Sequence, residues 1–203
     1  MIVVAVIVLS ELAMSMMATL MPVLEHQLSV SGVWLENCQA WGLLALGAAG
    51  LLYGLTSDSL GRRPLFVVST LLFVLASAWL SWVDSAPYFF WGRVVQCLGA
   101  GSAWVVGNAI LSDLYQGNDY VVIMNRVHAV AGMVPATAPL WVTWVTTHWG
   151  WHASYALLAC GLFVAWGMMV SWQQETMLQP QKLCLSQMRQ RFSHLLSSRQ
   201  FLC

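Results

Sequence analysis

Six stretches of this chain are each apolar for about the 20 residues that a helix needs to cross the hydrocarbon core of a bilayer. They run at about 1–24, 36–56, 64–83, 87–111, 121–146 and 151–172, and the connections between them are short. Inside a membrane a single segment satisfies its own backbone hydrogen bonds only as a helix. The pattern therefore prescribes an all-α membrane protein, a bundle of six transmembrane helices. Composition agrees, since Asp, Glu, Lys and Arg make up only 8% of the residues. A soluble domain carries roughly 25%, and so little charge cannot cover a water-facing surface. The 12 Trp residues suit membrane–water interfaces. Only the segment from about Glu175 is polar, so the chain divides into a six-helix bundle over 1–174 and a cytoplasmic tail, or the start of a linker, over 175–203.

The basic residues orient the bundle. Arg62 and Arg63 stand in the second connection, Arg126 opens the fifth span, and Lys182, Arg189, Arg191 and Arg199 lie in the tail. With six spans counted, all of these fall on one side. The connections near Glu25–Glu36, Asp84–Pro87 and Thr147–Trp151 hold neither Lys nor Arg. The positive-inside rule then puts both chain ends in the cytoplasm. Arg93 is the exception, because it lies inside the fourth span.

Several function classes are excluded or disfavoured. A formal net charge of zero gives no electrostatic case for nucleic acid. No Walker A string is present, so direct use of ATP is not expected. The five Cys residues form no C-x-x-C and sit mostly in apolar stretches or in the tail. They read as free, inert thiols, with no metal site and no cofactor. The apolar start at Met1 has no basic lead and is too long for a cleaved signal peptide. It reads as a first span without its usual cytoplasmic lead.

The most informative string is Gly54-Leu-Thr-Ser-Asp58-Ser-Leu-Gly61-Arg62-Arg63-Pro64, between the second and third spans. Gly50 and Gly54 make a G-x-x-x-G that permits close helix approach. Asp58 can pair with Arg62 or face a helix N-terminus, and Pro64 suits the first turn of the next helix. Composition alone allows an ordinary basic loop here. The whole string, however, resembles the signature loop G-x-x-x-D-x-x-G-R-R of the major facilitator superfamily, with Ser59 where a basic residue is common. In the fourth span, Gly92-Arg93-Val-Val-Gln96-Cys97-Leu-Gly99-Ala-Gly101 resembles the family's R-x-x-Q-G-x-G segment, with Cys97 in place of a glycine. Arg93, Gln96, Ala100, Trp104 and Gly107 share one helical face, with Asn108 beside them. A charged residue inside a span costs roughly 2.5–3.5 kcal/mol and usually faces a polar cavity; snorkelling of Arg93 to the outer surface is the alternative.

The fifth span contains Pro135-Ala-Thr-Ala-Pro139, which resembles the P-x-x-A-P segment of the drug:proton antiporters of the Bcr/CflA and multidrug resistance protein D type. Two prolines remove backbone hydrogen bonds and kink a helix. Trp141, Val142 and Thr143 follow where the family has Gly-Gly, and their bulk should block the close packing that glycines allow. Ser112-Asp113-Leu-Tyr115, Trp149-Gly150-Trp151-His152 and Gln174-Glu175-Thr176 are weaker echoes, two of them lacking the family's arginine. The matches run in the family's order from about Pro22 to Thr176.

The resemblance implies a transporter of twelve helices in two six-helix halves with the substrate site between them. This chain would supply the N-terminal half, and its last residues read as the approach to a missing seventh helix. The implied activity is proton-coupled efflux of drugs or other amphipathic organic solutes across a bacterial inner membrane. The implied partners are a small-molecule substrate, protons, the lipid bilayer, and the missing C-terminal half or a second copy of the chain. In the family the arginine matching Arg93 faces the central cavity and is linked to proton coupling. Glu11, near the middle of the first span with Ser15, Ala18 and Pro22 on its face, is the other intramembrane charge. A carboxyl at that depth can take up and release protons. It does not align with the aspartate usual in the subfamily, where Ser15 stands, so an interface residue is the alternative.

Two other classes remain. A non-transporting remnant or membrane scaffold shares every one of these features. A six-helix intramembrane serine protease would need Ser102 to meet a histidine, but Gly101-Ser102-Ala103 lacks the G-x-S-G string and His152 precedes the sixth span. Topology is the first test. A cysteine placed at Ser31 is expected to react with an impermeant thiol reagent from outside intact cells. Reaction only after permeabilisation would sink the six-span count.

Overall fold

The structure is a computed structural model that describes residues 2–172, apart from the side chains of Asp58 and Trp172. The polar segment 175–203 and the Gln174-Glu175-Thr176 echo lie outside the described residues. Six helices follow one another: α1 (Ile2–Gln27), α2 (Gly32–Leu60), α3 (Arg62–Leu80), α4 (Ala86–Leu114), α5 (Gly117–Trp149) and α6 (Trp151–Trp172). All six are long and apolar enough to span a bilayer. α2, α4 and α5 are longer than their apolar cores, because a helix continues into the interface after its hydropathy has fallen.

The connections are tight, and local chemistry explains them. Ser31 caps α2 by accepting a hydrogen bond from the Trp34 backbone N–H at 3.3 Å. Gly61 alone separates α2 from α3, at φ 91°, a conformation that side chains with a Cβ rarely adopt. Gly150 does the same between α5 and α6 at φ 82°. At that same end His152 Nε2 lies 3.1 Å from Asp84 Oδ1, so the α5–α6 and α3–α4 turns meet.

α4 is the central element. It packs along α2 and α3 on two sides and also meets α1; α1 packs against α5 and α6, and α3 against α6. Glycines make the first two approaches possible. A Cβ on Gly99 would lie 2.5 Å from the Phe73 backbone nitrogen, and one on Gly101 would lie 2.9 Å from the Leu46 carbonyl oxygen and 2.8 Å from Ala49 Cβ. A Cβ on Gly54 would meet only a Val105 methyl, at 3.3 Å; one on Gly50 would meet a Val105 methyl at 3.3 Å and the Gly101 carbonyl oxygen at 3.7 Å. Two apolar clusters fill the interior. One holds Leu20, Leu35, Phe73, Phe89, Trp151 and Tyr155; the other holds Ile7, Phe66, Val106, Ile110, Val127 and Met169. α2 and α5 keep long apolar flanks exposed, including Leu43, Leu51, Met133 and Leu140.

α5 runs helical through Pro135 and Pro139, both exposed, so the lost backbone bonds do not end it. Val142, read as a packing obstacle, is fully buried beside Ala138 in the first cluster. The glycines of α4 are open to a direct test. Gly99→Ala drives a methyl into rigid backbone and should destabilise the folded chain by about 1–3 kcal/mol. Gly54→Ala presses only on a side-chain methyl and should cost clearly less. Denaturation of each variant in detergent checks the order, and equal losses would refute this account of α4.

Candidate functional site

The polar side chains collect at three places along the bundle. At the end where α2 joins α3, Arg62 donates from Nη1 to the Ala109 carbonyl oxygen at 2.6 Å and forms an ion pair with Asp113. Arg63 donates from Nη2 to the Val170 carbonyl oxygen at 2.9 Å. The turn after Gly61 therefore binds the start of α3 to the last turns of both α4 and α6. Gly54 and Asp58 belong to the end of α2 that leads into this turn. The pairing expected of Asp58 falls on a side chain outside the described ones. Asp113 was legible only as part of a weak echo, and its partner is Arg62.

Further along α4 lies the second group. Arg93 is fully buried at 0% exposure, so it does not snorkel. Its Nη1 donates to Gln96 Oε1, and its Nη2 lies 3.5 Å from Gln39 Oε1 and 3.7 Å from Met14 Sδ. Gln96, also at 0% exposure, passes the chain on by donating to Ser77 Oγ at 2.8 Å. One guanidinium thus links side chains of α1, α2, α3 and α4. Among the described residues it has no carboxylate partner. Gln39 and Ser77 were not singled out from the sequence, because a lone Gln or Ser in a span carries no pattern.

The third group lies deeper. Trp104 Nε1 donates to Glu11 Oε1 at 2.6 Å, joining α4 to α1. The other side of the site belongs to α5, where the His128 ring stacks on Trp104 with centroids 5.4 Å apart and planes 17° apart. Counting from the ends of their helices at 1.5 Å per residue, Glu11, Trp104 and His128 all lie roughly 15 Å from the arginine end. That is close to the middle of a hydrocarbon core about 30 Å thick. Asn108, one turn from Trp104, is partly buried and has no partner for its Oδ1. The five residues expected to share a cavity therefore fall into separate groups. Arg93 goes with Gln96, and Glu11 goes with Trp104. His128 was missed because a histidine on α5 gives no sign of its neighbours on other helices.

Ser102 accepts a hydrogen bond from Ser69 at 2.6 Å deep in the α3–α4 contact, while His152 sits at the bundle end beside Asp84. That separation removes the geometric basis for a serine nucleophile.

The model of the Major Facilitator Superfamily matches residues 3–196. The chain belongs to that superfamily. That superfamily is one of membrane transporters, which carry out no enzymatic reaction. It is 33% identical over 158 residues to a chloramphenicol resistance protein of Pseudomonas aeruginosa, covering 77% of this chain and 38% of that protein. It is 26% identical over 168 residues to the multidrug resistance protein MdtL of Escherichia coli O45:K1 (strain S88 / ExPEC), covering 79% of this chain and 43% of the relative. The chain thus spans about two-fifths of the length of these curated relatives. Among solved structures, the POT family transporter PepTSo superposes with a TM-score of 0.79 at 15% identity, over 97% of this chain and 42% of that one. The xylose transporter XylE from E. coli, in its inward-open conformation, gives 0.69 at 16% identity, over 98% and 56%. These likenesses show the fold: six helices arranged as one half of a superfamily transporter.

Within that half, the Arg62–Asp113 pair offers a measurable quantity. Both side chains are mostly shielded, at 16% and 28% exposure. A double-mutant cycle of Arg62→Gln and Asp113→Asn should return a coupling of roughly 1 kcal/mol, as expected for a charge-assisted, partly shielded pair. Strict additivity of the two losses would show that the contact contributes nothing.

Proposed function

We propose that this chain forms the N-terminal half of a proton-coupled efflux transporter for drugs or other amphipathic organic solutes, set in a bacterial inner membrane with both chain ends in the cytoplasm. The observation that carries the reading is the Glu11 carboxyl at mid-depth, partly buried and held by the Trp104 N–H at 2.6 Å. Kinship to a chloramphenicol resistance protein and to MdtL supports the substrate class. Arg62 and Arg63 at the α2–α3 turn, with Arg126 in the half of α5 nearer that end, support the orientation through the positive-inside rule.

In this reading Glu11 is the proton carrier. Its carboxylate accepts a charge-assisted hydrogen bond from the indole, which is stronger than the bond to the neutral acid. Uptake of a proton at Glu11 therefore weakens the tie between α1 and α4, the two helices that would line a central cavity. Arg93 and Gln96 keep α1, α2 and α3 in register on α4. The Arg62–Asp113 contact, with Gly54, Asp58, Gly61 and Arg63 around it, acts as the latch at the cytoplasmic end. Its release lets the bundle rock against a second six-helix bundle, as alternating access requires.

The test uses the chain joined to a C-terminal six-helix bundle, with residues 1–203 alone as the blank. Glu11→Gln should abolish proton-linked drug efflux into everted vesicles while leaving drug binding measurable. Glu11→Asp should keep part of the activity. Efflux with an unchanged pH dependence in Glu11→Gln would remove Glu11 from the coupling and with it the central support of this reading.

A further inference from the structure

We infer that His128 is a second protonatable member of the Glu11 site and that the Trp104 indole couples the two charges. This deepens the reading of Glu11 as the proton carrier and rests on it. The geometry is specific. Trp104 offers its N–H edge to the Glu11 carboxyl at 2.6 Å. It offers its face to the His128 ring at 5.4 Å and 17°. An imidazolium within about 6 Å of an indole centroid is held by cation–π attraction. The indole is a donor only, so its edge cannot take a proton from either partner. What passes through it is charge. A carboxylate on the N–H edge enriches the ring in electron density and favours the cation on its face. A protonated Glu11 does the opposite.

The surroundings leave this pair to itself. Within α5, Arg126 is two residues from His128, at nearly the same depth but about 200° round the helix from it, and exposed. Tyr53 of α2 and Tyr120 of α5 pack against the same apolar cluster as Trp104. Arg93 stands about three turns from Trp104 along α4, engaged with Gln96, Gln39 and Met14. Arg62 and Arg63 of α3 are occupied at the ends of α4 and α6. α6 carries no Asp, Glu, Lys or Arg. His128 is exposed on α5, on the outer side of the bundle and away from its packed core.

The consequence is a site that responds to a proton in three helices. With Glu11 ionised and His128 protonated, the unit is neutral overall and draws α1, α4 and α5 together. Protonation of Glu11 weakens both contacts of Trp104 in one step. His128 is thus a positioning residue for the proposed coupling, acting through Trp104.

The experiment needs no transport. The purified chain is labelled with 5-fluorotryptophan, placed in lipid nanodiscs, and followed by fluorine NMR as pH changes. The Trp104 resonance is identified by its loss in Trp104→Phe. It should move with pH in the parent chain. The movement should shrink in His128→Phe, which keeps a stacked ring without the charge, and shrink likewise in His128→Gln. In Glu11→Gln only the part of the movement that depends on His128 should survive, because the N–H edge no longer meets a group that changes charge. Equal movement in the parent chain and in both His128 variants, or equal movement in the parent chain and in Glu11→Gln, would overturn the inference. This outcome is separate from that of the efflux assay. A positive NMR result with no proton-linked efflux would sink the transport reading alone, and the reverse result would sink only the role of His128.

Discussion

The close approach of α4 to α2 and α3 is the constraint on which the other contacts depend. Between helices in a bilayer there is no water to expel, so association rests on van der Waals contact and hydrogen bonds. Both fall off steeply with separation. At Gly99 and Gly101 the backbones of α3 and α2 lie where a methyl group would otherwise be. That proximity brings Ser77 within reach of Gln96 and Ser69 within reach of Ser102. It also brings Gln39 of α2 up to Arg93. Were the helices held apart by one added carbon layer, each of these polar groups would lose its partner in a medium that offers no replacement.

Arg93 shows how a costly residue is accommodated. Its charge is fully out of solvent, yet the partners that the structure gives it are neutral: two amide oxygens and a thioether. Neutral dipoles offset only part of the desolvation of a guanidinium. The residue remains affordable because its contacts extend over α1, α2 and α4 and because Gln96 is held in turn by Ser77 of α3. An arrangement tied at so many points resists movement. In contrast, the Glu11–Trp104 contact is a single hydrogen bond with one partly exposed side. Of Arg93 and Glu11, the carboxyl is the one whose change of state the bundle can absorb.

Most of the fold could be read from the sequence because the bilayer imposes a length and a polarity on every span. The six helices and their short connections follow from apolar runs, although the turn between the second and third spans is tighter than those runs suggest, Gly61 alone. The family resemblance was legible for a related reason, since motifs at turns are contiguous in the chain. The site was less legible. Arg93, Gln96, Glu11 and Trp104 stood out as polar or aromatic residues on apolar helices, but their pairing did not. Periodicity tells which residues share a face of one helix, and it says nothing about which face of another helix lies opposite. That is why Arg93 and Glu11 were grouped together without the partner that each holds, and why Asp113, Gln39, Ser77 and His128 were passed over as partners. The one polar pairing that spacing alone suggests, Asp58 with Arg62, falls on a side chain outside the described ones. The Arg62–Asp113 pair joins residues far apart in the chain, which spacing could not suggest.

The exposed flanks of α2 and α5 complete the physical picture. Leu43, Leu51, Met133 and Leu140 are ordinary lipid-facing residues by themselves. The His128 ring is different, because an imidazole at mid-depth is costly against hydrocarbon. The side of the bundle that presents His128 and the partly buried edges of Glu11, Trp104 and Asn108 is therefore the side least suited to lipid. A second bundle enclosing a water-filled cavity would hydrate these groups and would leave the apolar rims of α2 and α5 to pack on its own helices. Solvation alone thus marks this side of the six helices, and not the flanks of α2 and α5, as the one that needs water or protein against it.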